Sequence, residues 1–165
     1  MSKGPEANFW LQLKKNLPKK SLATRVENKH GGGIPDVHIL WEGLPFWVEL
    51  KTIKSNAIKI SPQQVAWHYS YYNNKGLSFF LIKSLSSRDL FLFGGYQGAR
   101  LKEQGLCELA PFWLIRSCDF ASLFASLRPL VACHYRSILD AEPGSKDKKN
   151  PEPKLRDSRK ETLSC

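Results

Sequence analysis

Asp36, Glu49 and Lys51 are side chains that could bind a hard cation and act on a water molecule, and Gln64 follows them closely in the chain. Side chains of a strand alternate between its two faces, so in FWVELK the carboxylate of Glu49 and the ammonium of Lys51 point the same way. The same alternation in IPDVHIL turns Asp36 away from apolar Val37. If these two runs pair as a hairpin, Asp36 and Glu49 converge on one face of the sheet.

Two neighbouring carboxylates beside a lysine suit a divalent cation. Like charges close together raise each other's pKa, and a cation relieves the repulsion. Carboxylate, carbonyl and water oxygens are the ligands that Mg²⁺ prefers, and substrate phosphates complete its coordination. Such an ion lowers the pKa of a bound water and neutralises charge that builds on a phosphate. From the residues alone, the alternative is a surface hairpin that happens to carry Asp36, Glu49 and Lys51.

Three spaced motifs resemble those of a known nuclease superfamily. The GIPD run that ends at Asp36, followed by Glu49-Leu50-Lys51, resembles the core of the PD-(D/E)xK nucleases, and the ISPQQ run with Trp67 resembles the distal motif of their VRR-NUC (virus-type replication-repair nuclease) branch. The motifs cover residues 6–68, and a looser strand pattern extends to 93. The resemblance implies an α/β, restriction-endonuclease-like core with a mixed central sheet flanked by helices. It also implies dependence on Mg²⁺ or Mn²⁺ and cleavage of DNA phosphodiesters.

The resemblance also implies roles for single residues. Asp36, Glu49 and the carbonyl of Leu50 would hold the metal, and Lys51 would position the attacking water or help to deprotonate it. Gln64 would orient that water or the scissile phosphate. The residues around Gln64 offer a second interpretation, because a glutamine at the third position after an N-cap serine completes a capping box. The two roles of Gln64 compete for one amide group.

A first helix is predicted over residues 5–17, and it carries a further carboxylate. By helical spacing Glu6 shares a face with Trp10 and Leu13, which puts it at the inner edge of a buried stripe. The resemblance implies that this glutamate completes the metal site or binds a second ion. The alternative is an acid in the first turn that complements the helix dipole.

Further elements extend this core. Alternation predicts a strand over residues 22–28, and β-rich runs predict strands over 78–83 and 90–93. A short helix is predicted over 97–104, a strand over 112–115 and a helix over 120–130. The last helix has an apolar stripe that could be core or the seam of a dimer, consisting of Phe120, Leu123, Phe124 and Leu127.

Charge indicates a polyanionic partner. The chain has 25 basic and 15 acidic residues and a net charge of +10. Residues 141–165 contribute +2 of that charge, which leaves +8 on residues 1–140. Phosphate contacts with release of counterions supply much of the affinity for DNA, so a basic body suits DNA as the partner. The candidate phosphate contacts are Lys29, His30, Lys54 and Lys59. A basic surface that serves only solubility is the alternative.

Composition also predicts the domain organisation and the compartment. Residues 1–140 are predicted to form one nuclease domain, and the polar, lysine-rich segment 141–165 is predicted to be disordered. Four cysteines lack the spacing of a zinc site. No secretory signal or apolar run of membrane-spanning length is recognisable. We therefore expect a protein of the cytoplasm, in a bacterial cell or a phage-infected host, with no membrane partner.

These observations predict a Mg²⁺-dependent DNA endonuclease. By the resemblance, hydrolysis leaves a 5′-phosphate, and a lone domain of this branch acts as a homodimer on branched DNA in the manner of a Holliday-junction resolvase. A non-specific or nicking duplex nuclease with the same residues is the close alternative. A DNA-binding accessory protein without catalysis is the alternative from another class, and the intact set of Asp36, Glu49, Lys51 and Gln64 argues against it.

Overall fold

A mixed β-sheet forms the centre of the structure, a computed structural model that describes residues 4–26 and 32–140. The sheet has six strands in the order β1-β2-β3-β4-β5-β6 within these residues. Strands β3 and β4 pair in parallel and the other neighbours are antiparallel. The strands are β1 Ser21–Arg25, β2 Val37–Trp41, β3 Leu44–Ile53, β4 Ser78–Ser84, β5 Leu90–Gly94 and β6 Trp113–Ile115.

Helices cover both faces of the sheet. A parallel pair needs a crossover connection, and α2 supplies it between β3 and β4. Helices and sheet together confirm the predicted α/β architecture with a mixed central sheet. The helices are α1 Pro5–Lys15, α2 Pro62–Asn73, α3 Gly98–Gln104 and α4 Phe120–Asp140, with short 3-10 turns at Gly95–Gln97 and Arg116–Cys118.

Two hydrophobic clusters lie on opposite faces of the sheet, and strand alternation separates them. On β3, the side chains of Phe46, Val48 and Leu50 enter the larger cluster, which contains residues of α1 and α4. The smaller cluster contains Phe80 of β4 and Leu101 of α3. The sheet face that carries Glu49 is therefore the face covered by α2 and α3.

The β2–β3 hairpin sets the register of the carboxylates. Its turn, Glu42-Gly43, has positive φ at both residues, 51° and 84°. Such a two-residue turn matches the twist of the strands that it joins. The pairing runs from Trp41 opposite Leu44 to Val37 opposite Val48. The next opposed positions are Asp36 and Glu49, as the sequence predicted.

Helix α4 belongs to the core of its own chain. Its stripe of Phe120, Leu123, Phe124 and Leu127 is buried in the larger cluster, so the prediction that this stripe could form a dimer seam is wrong. The helix also continues to Asp140, ten residues beyond its predicted end at residue 130. Val131, one turn after Leu127, is buried too and extends the apolar stripe past Pro129.

Several predictions fall outside the described residues or concern element ends. Strand β1 ends at Arg25, and residues 27–31 are not described, so the DNA contacts proposed for Lys29 and His30 stay predictions. The same holds for the tail at 141–165. Among the described helices, none combines the length and the apolar character needed to cross a membrane.

Leu123→Ala should destabilise the protein strongly, because Leu123 is 1% exposed and belongs to the larger cluster. Removing a buried leucine side chain costs about 2–5 kcal/mol of unfolding free energy. The matched control on the same helix is Leu139→Ala, since Leu139 is 71% exposed. Urea unfolding of both variants measures the difference, and equal losses would contradict the assignment of this face of α4 to the core.

Candidate active site

Asp36 and Glu49 meet where the β2–β3 ladder ends. Glu49 lies on β3, one position beyond the Val37–Val48 pair. Asp36 precedes β2, and its Oδ2 accepts a hydrogen bond of 3.0 Å from the backbone N–H of Leu50. This bond ties the aspartate to the strand that carries the glutamate. The structure thus brings the two predicted carboxylates together on the face covered by α2.

A glycine allows the chain before Asp36 to approach α2 closely. Gly33 has φ of 106°, and a Cβ there would lie 2.4 Å from the carbonyl oxygen of Gln63. Only glycine fits a position with both constraints. At Gly33 the glycine-rich run before Asp36 is packed against the start of α2. This packing joins the segment that leads into Asp36 to the start of the helix that carries Gln64.

Glu49 is the most deeply placed ionisable group of the site, with 1% of its surface exposed. Its Oε1 lies 2.9 Å from Nζ of Lys51 and also accepts a hydrogen bond from the Gln64 amide. Its Oε2 is buried and accepts no hydrogen bond from any residue in the described part of the chain. One oxygen of the carboxylate is therefore doubly partnered, and the other has no partner among those residues.

Burial raises the pKa of Glu49 to about 7, and the neighbouring charge of Asp36 contributes to the increase. Lys51 acts in the opposite direction through its charge and its hydrogen bond, and so does the backbone N–H of Asp36. Burial also raises the pKa of Asp36, against the Leu50 N–H and the charges of Lys51 and Arg25. Both carboxylates are thus held in surroundings that favour an additional positive charge.

The predicted capping role of Gln64 is confirmed, and the other end of its amide contacts Glu49. Its proposed role toward a water or phosphate stays a prediction. Its Oε1 accepts from the backbone N–H of Ser61 at 3.0 Å, and its backbone N–H donates to Ser61 Oγ at 3.1 Å, which completes the capping box. Its Nε2 donates to Glu49. The capping box aims the amide, so the helix start and the carboxylate do not compete for it.

Other predicted residues are not brought into this cluster. Glu6 is exposed in the first turn of α1, so its predicted place at the inner edge of the buried stripe is wrong. The buried face of that helix consists of Phe9, Trp10 and Leu13. It is rotated about the helix axis relative to the predicted stripe, so that it includes Phe9 and excludes Glu6. In the described ranges, no three His, Cys, Asp or Glu side chains group as metal ligands. Lys54 and Lys59 are exposed, in keeping with their proposed DNA contacts.

Sequence reasoning missed Arg25. It stands at the end of β1 opposite Val37, and the β1–β2 contact continues from the N–H of Val26 to the carbonyl of Asp36 at 2.8 Å. Its guanidinium is near enough to lower the pKa of Asp36. Strand alternation gives no signal for this residue, because Arg25 is paired with Val37 and the effect on Asp36 arises only where the β1–β2 ladder ends.

His68 is a second residue whose surroundings the sequence did not reveal. Its ring is completely buried against that of Phe80, with the ring centroids 4.3 Å apart. Its Nδ1 shares a hydrogen bond of 2.8 Å with Ser78 Oγ. A Cβ at Gly95 would lie 2.1 Å from that hydroxyl, so glycine leaves room for the pair. Burial and the nearby Lys51 charge lower the pKa of His68 to about 4.

The donor set at Asp36 and Glu49 fits a hard divalent cation. A buried carboxylate oxygen without a partner is costly unless a cation or donor reaches it, and Glu49 Oε2 has no such partner among the described residues. Carboxylate oxygens are the ligands that Mg²⁺ and Mn²⁺ accept readily. The raised pKa of Glu49 supports the same conclusion. A bound cation would stabilise the charged carboxylate and so offset the effects of burial and of the Asp36 charge.

Comparison with known proteins finds a distant structural likeness. The chain is similar to the solved structure of Hjc from Archaeoglobus fulgidus, a Holliday junction resolvase from an archaeal hyperthermophile. The identity is 16%, the match covers 55% of this chain and 74% of that chain, and the TM-score is 0.42. No protein-family model and no curated protein sequence matches the chain. A likeness this distant bears on neither activity nor substrate, and the VRR-NUC assignment stays a prediction.

Gln64→Ala should lower the free energy of unfolding by about 1 kcal/mol, the usual cost of losing a capping interaction. The variant removes the acceptor for the Ser61 N–H and one of the donors to Glu49. Neighbouring Gln63 is exposed, so Gln63→Ala is the control. Urea unfolding at neutral pH measures both variants. A Gln64→Ala protein as stable as the control would show that the capping box contributes nothing.

The free energy of unfolding should depend on pH through His68. The pKa of this histidine is about 4 in the folded protein against an ordinary value of 6.5, so the unfolded chain binds its proton first as the pH falls. The contribution is complete above pH 6.5 and is lost progressively towards pH 4. His68→Asn should remove this part of the pH dependence. Denaturant unfolding across this range tests it, and parallel pH profiles of the two proteins would contradict it.

Proposed function

We propose that this chain is a metal-dependent phosphodiester hydrolase that acts on DNA. The observation that carries the proposal is the carboxylate of Glu49, which is buried beside Asp36 with Oε2 unpartnered by any described residue and Oε1 held by Lys51 and Gln64. Stability alone does not favour such an arrangement, because a buried carboxylate with an unmade hydrogen bond costs free energy. A cation that acts on a phosphate would supply the missing partner of Oε2 and so account for this arrangement.

Asp36, Glu49 and the carbonyl of Leu50 would hold Mg²⁺ or Mn²⁺. When bound, the ion would lower the pKa of a water molecule and neutralise charge on the phosphate. The protein's own part is to fix the ligands before substrate arrives. The Leu50 N–H orients the Asp36 carboxylate, and the capping box of α2 orients the amide that holds Glu49. Glu6, which the resemblance assigned to the metal, is exposed in the first turn of α1, and its position does not support this role.

Lys51 is the residue that would serve the attacking water. Its side chain is 14% exposed and its Nζ is held by Glu49 Oε1, so the ammonium group is fixed at the border between the buried carboxylate and solvent. A fixed positive charge there offsets negative charge that develops on the phosphate. It can also orient a water molecule by donating a hydrogen bond. Gln64 would help to hold this geometry through Glu49.

DNA is the proposed polymer because of charge. Residues 1–140 have a net charge of +8, and a polyanion releases counterions when it binds such a surface. A branched DNA substrate and a homodimeric enzyme, as in junction resolvases, are the finer proposal, and they rest on the sequence resemblance. The same site would serve a non-specific or nicking duplex nuclease. An accessory protein that binds DNA without cutting it is the proposal from another class.

Asp36→Asn and Glu49→Gln should each abolish DNA cleavage, because each removes a charged metal ligand while the side chain keeps its shape. DNA affinity should be unchanged or slightly higher, since a negative charge near phosphate is lost. Cleavage of four-way junction, flap, single-strand and linear duplex DNA is measured with Mg²⁺, Mn²⁺, Ca²⁺ and chelator. The wild-type protein should cut with Mg²⁺ or Mn²⁺ only.

Glu42→Gln is the matched control for these variants, because Glu42 is an exposed carboxylate of the β2–β3 turn outside the site. It should cut at the wild-type rate. Wild-type cleavage by Glu49→Gln would refute the proposed site. Binding of DNA by the wild-type protein without cleavage under any metal would favour the accessory protein. Equal cutting of junction and linear duplex DNA would favour a non-specific nuclease over a junction-selective one.

A further inference from the structure

Four half-exposed rings form a continuous row on the sheet face that carries Glu49. His38 and Trp47 lie across the β2–β3 pair with ring centroids 4.9 Å apart. Trp47 contacts Trp67 of α2 at 5.7 Å, and Trp67 stacks on Tyr71 at 4.7 Å with an interplanar angle of 19°. We call this set, His38, Trp47, Trp67 and Tyr71, the aromatic row.

The aromatic row does not serve either hydrophobic cluster. None of its members belongs to the larger or the smaller cluster or packs against them as a partly buried hydrophobic residue. All of them keep intermediate exposure. Large aromatic rings usually supply much of the buried apolar area of a protein, so two tryptophans left outside both cores need another explanation.

The row is continuous with the proposed active site on both elements that build that site. Trp47 lies two residues before Glu49 and His38 two residues after Asp36, so strand alternation puts each ring on the same face as its carboxylate. On α2, Trp67 and Tyr71 follow Gln64 by one and two turns along the same side of the helix. The row thus leads away from the carboxylates. It ends beside a shallow cavity of about 260 Å³ lined by Trp67, Ser70, Tyr71 and Asn74.

The chemistry of these rings suits nucleobases. Every base has a π-face, and stacking on aromatic side chains binds single strands with little preference for sequence. The near-parallel geometry of Trp67 and Tyr71 is one that a base can extend. Bases of an intact duplex are already stacked on each other and do not offer their faces. Lys51 supplies positive charge at the carboxylate end of the row, where a phosphate would lie.

We propose that the aromatic row binds unpaired bases of the DNA substrate and so places the adjoining phosphodiester at the Asp36–Glu49 site. This inference rests on the proposed function and narrows its substrate. The preferred substrates are those with unpaired bases beside the cut, such as single strands, flaps and the open centres of junctions.

Binding to two probes of equal length and charge tests the proposal. One is oligothymidylate and the other is the same sugar-phosphate chain with abasic spacers in place of bases. The full chain with Glu49→Gln is used with Mg²⁺, so that neither probe is cut. This protein should bind the base-bearing probe more tightly than the abasic probe. Trp67→Leu keeps an apolar side chain but has no π-face. This variant should bind oligothymidylate about 5- to 100-fold more weakly, and its affinity for the abasic probe should not change.

Trp67→Phe and Tyr69→Ala are the matched variants. Trp67→Phe keeps a ring and should restore most of the base-dependent affinity. Tyr69 lies on α2 but outside the row and is 58% exposed, so Tyr69→Ala should bind both probes as the parent does. Thermal melting shows whether each variant is folded. If Trp67→Leu is not folded, Tyr71→Leu at the far end of the row replaces it with the same expectation.

Three results would overturn the proposal. The first is equal affinity of the parent protein for both probes. The second is an equal loss on both probes in the row variants, which would assign the rings to the fold. The third is that the row variants sediment as monomers while the parent sediments as a dimer, and that base-dependent binding persists in the variants. This result would make the row a dimer seam. Base-dependent binding by a wild-type protein that cuts no DNA would refute the nuclease and leave the stacking role standing.

Discussion

The burial of the Glu49 carboxylate is the constraint around which this structure is arranged. A charged group that is 1% exposed must be compensated, and the chain compensates one of its oxygens with Lys51 and Gln64. Each compensating group comes from a different element and has its own support. Lys51 shares the face of β3 with Glu49 through strand alternation, and the capping box holds Gln64. The remaining oxygen is left for a partner outside the described residues.

The elements next to the site hold this arrangement in place. A tight hairpin turn sets the register that opposes Asp36 to Glu49, and Gly33 lets the preceding chain reach the start of α2. The crossover from β3 through α2 to β4 returns the helix over the same face. On the opposite face, α1 and α4 complete a conventional apolar core with the other side of β3. One side of β3 therefore belongs to the larger apolar cluster, and the other carries the charged residues of the proposed site.

Local patterns were sufficient to predict most of the secondary structure and the convergence of four site residues. Strand alternation and the turn residues carry that information within a few positions, so Asp36, Glu49 and Lys51 could be placed together from the amino-acid sequence alone. The exposure of Glu6 could not be predicted in this way. It depends on how α1 is rotated about its axis, and the rotation in the structure buries Phe9 and leaves Glu6 exposed. Arg25 and His68 depend on pairing between distant strands and on the space left by Gly95. Such contacts exist only after the chain has folded.

The aromatic row shows why periodicity could not separate a core from a surface here. Trp67 has the spacing of a buried residue on α2, and a helix that covers a sheet normally buries that side. The part of the sheet next to the site, however, carries Asp36, Glu49 and Lys51 in place of apolar residues, so closer packing of the helix at that point would bury more charge. The rings are held partly open as a consequence. A polar site and an exposed aromatic surface beside it thus have one physical origin, the charged side of β3.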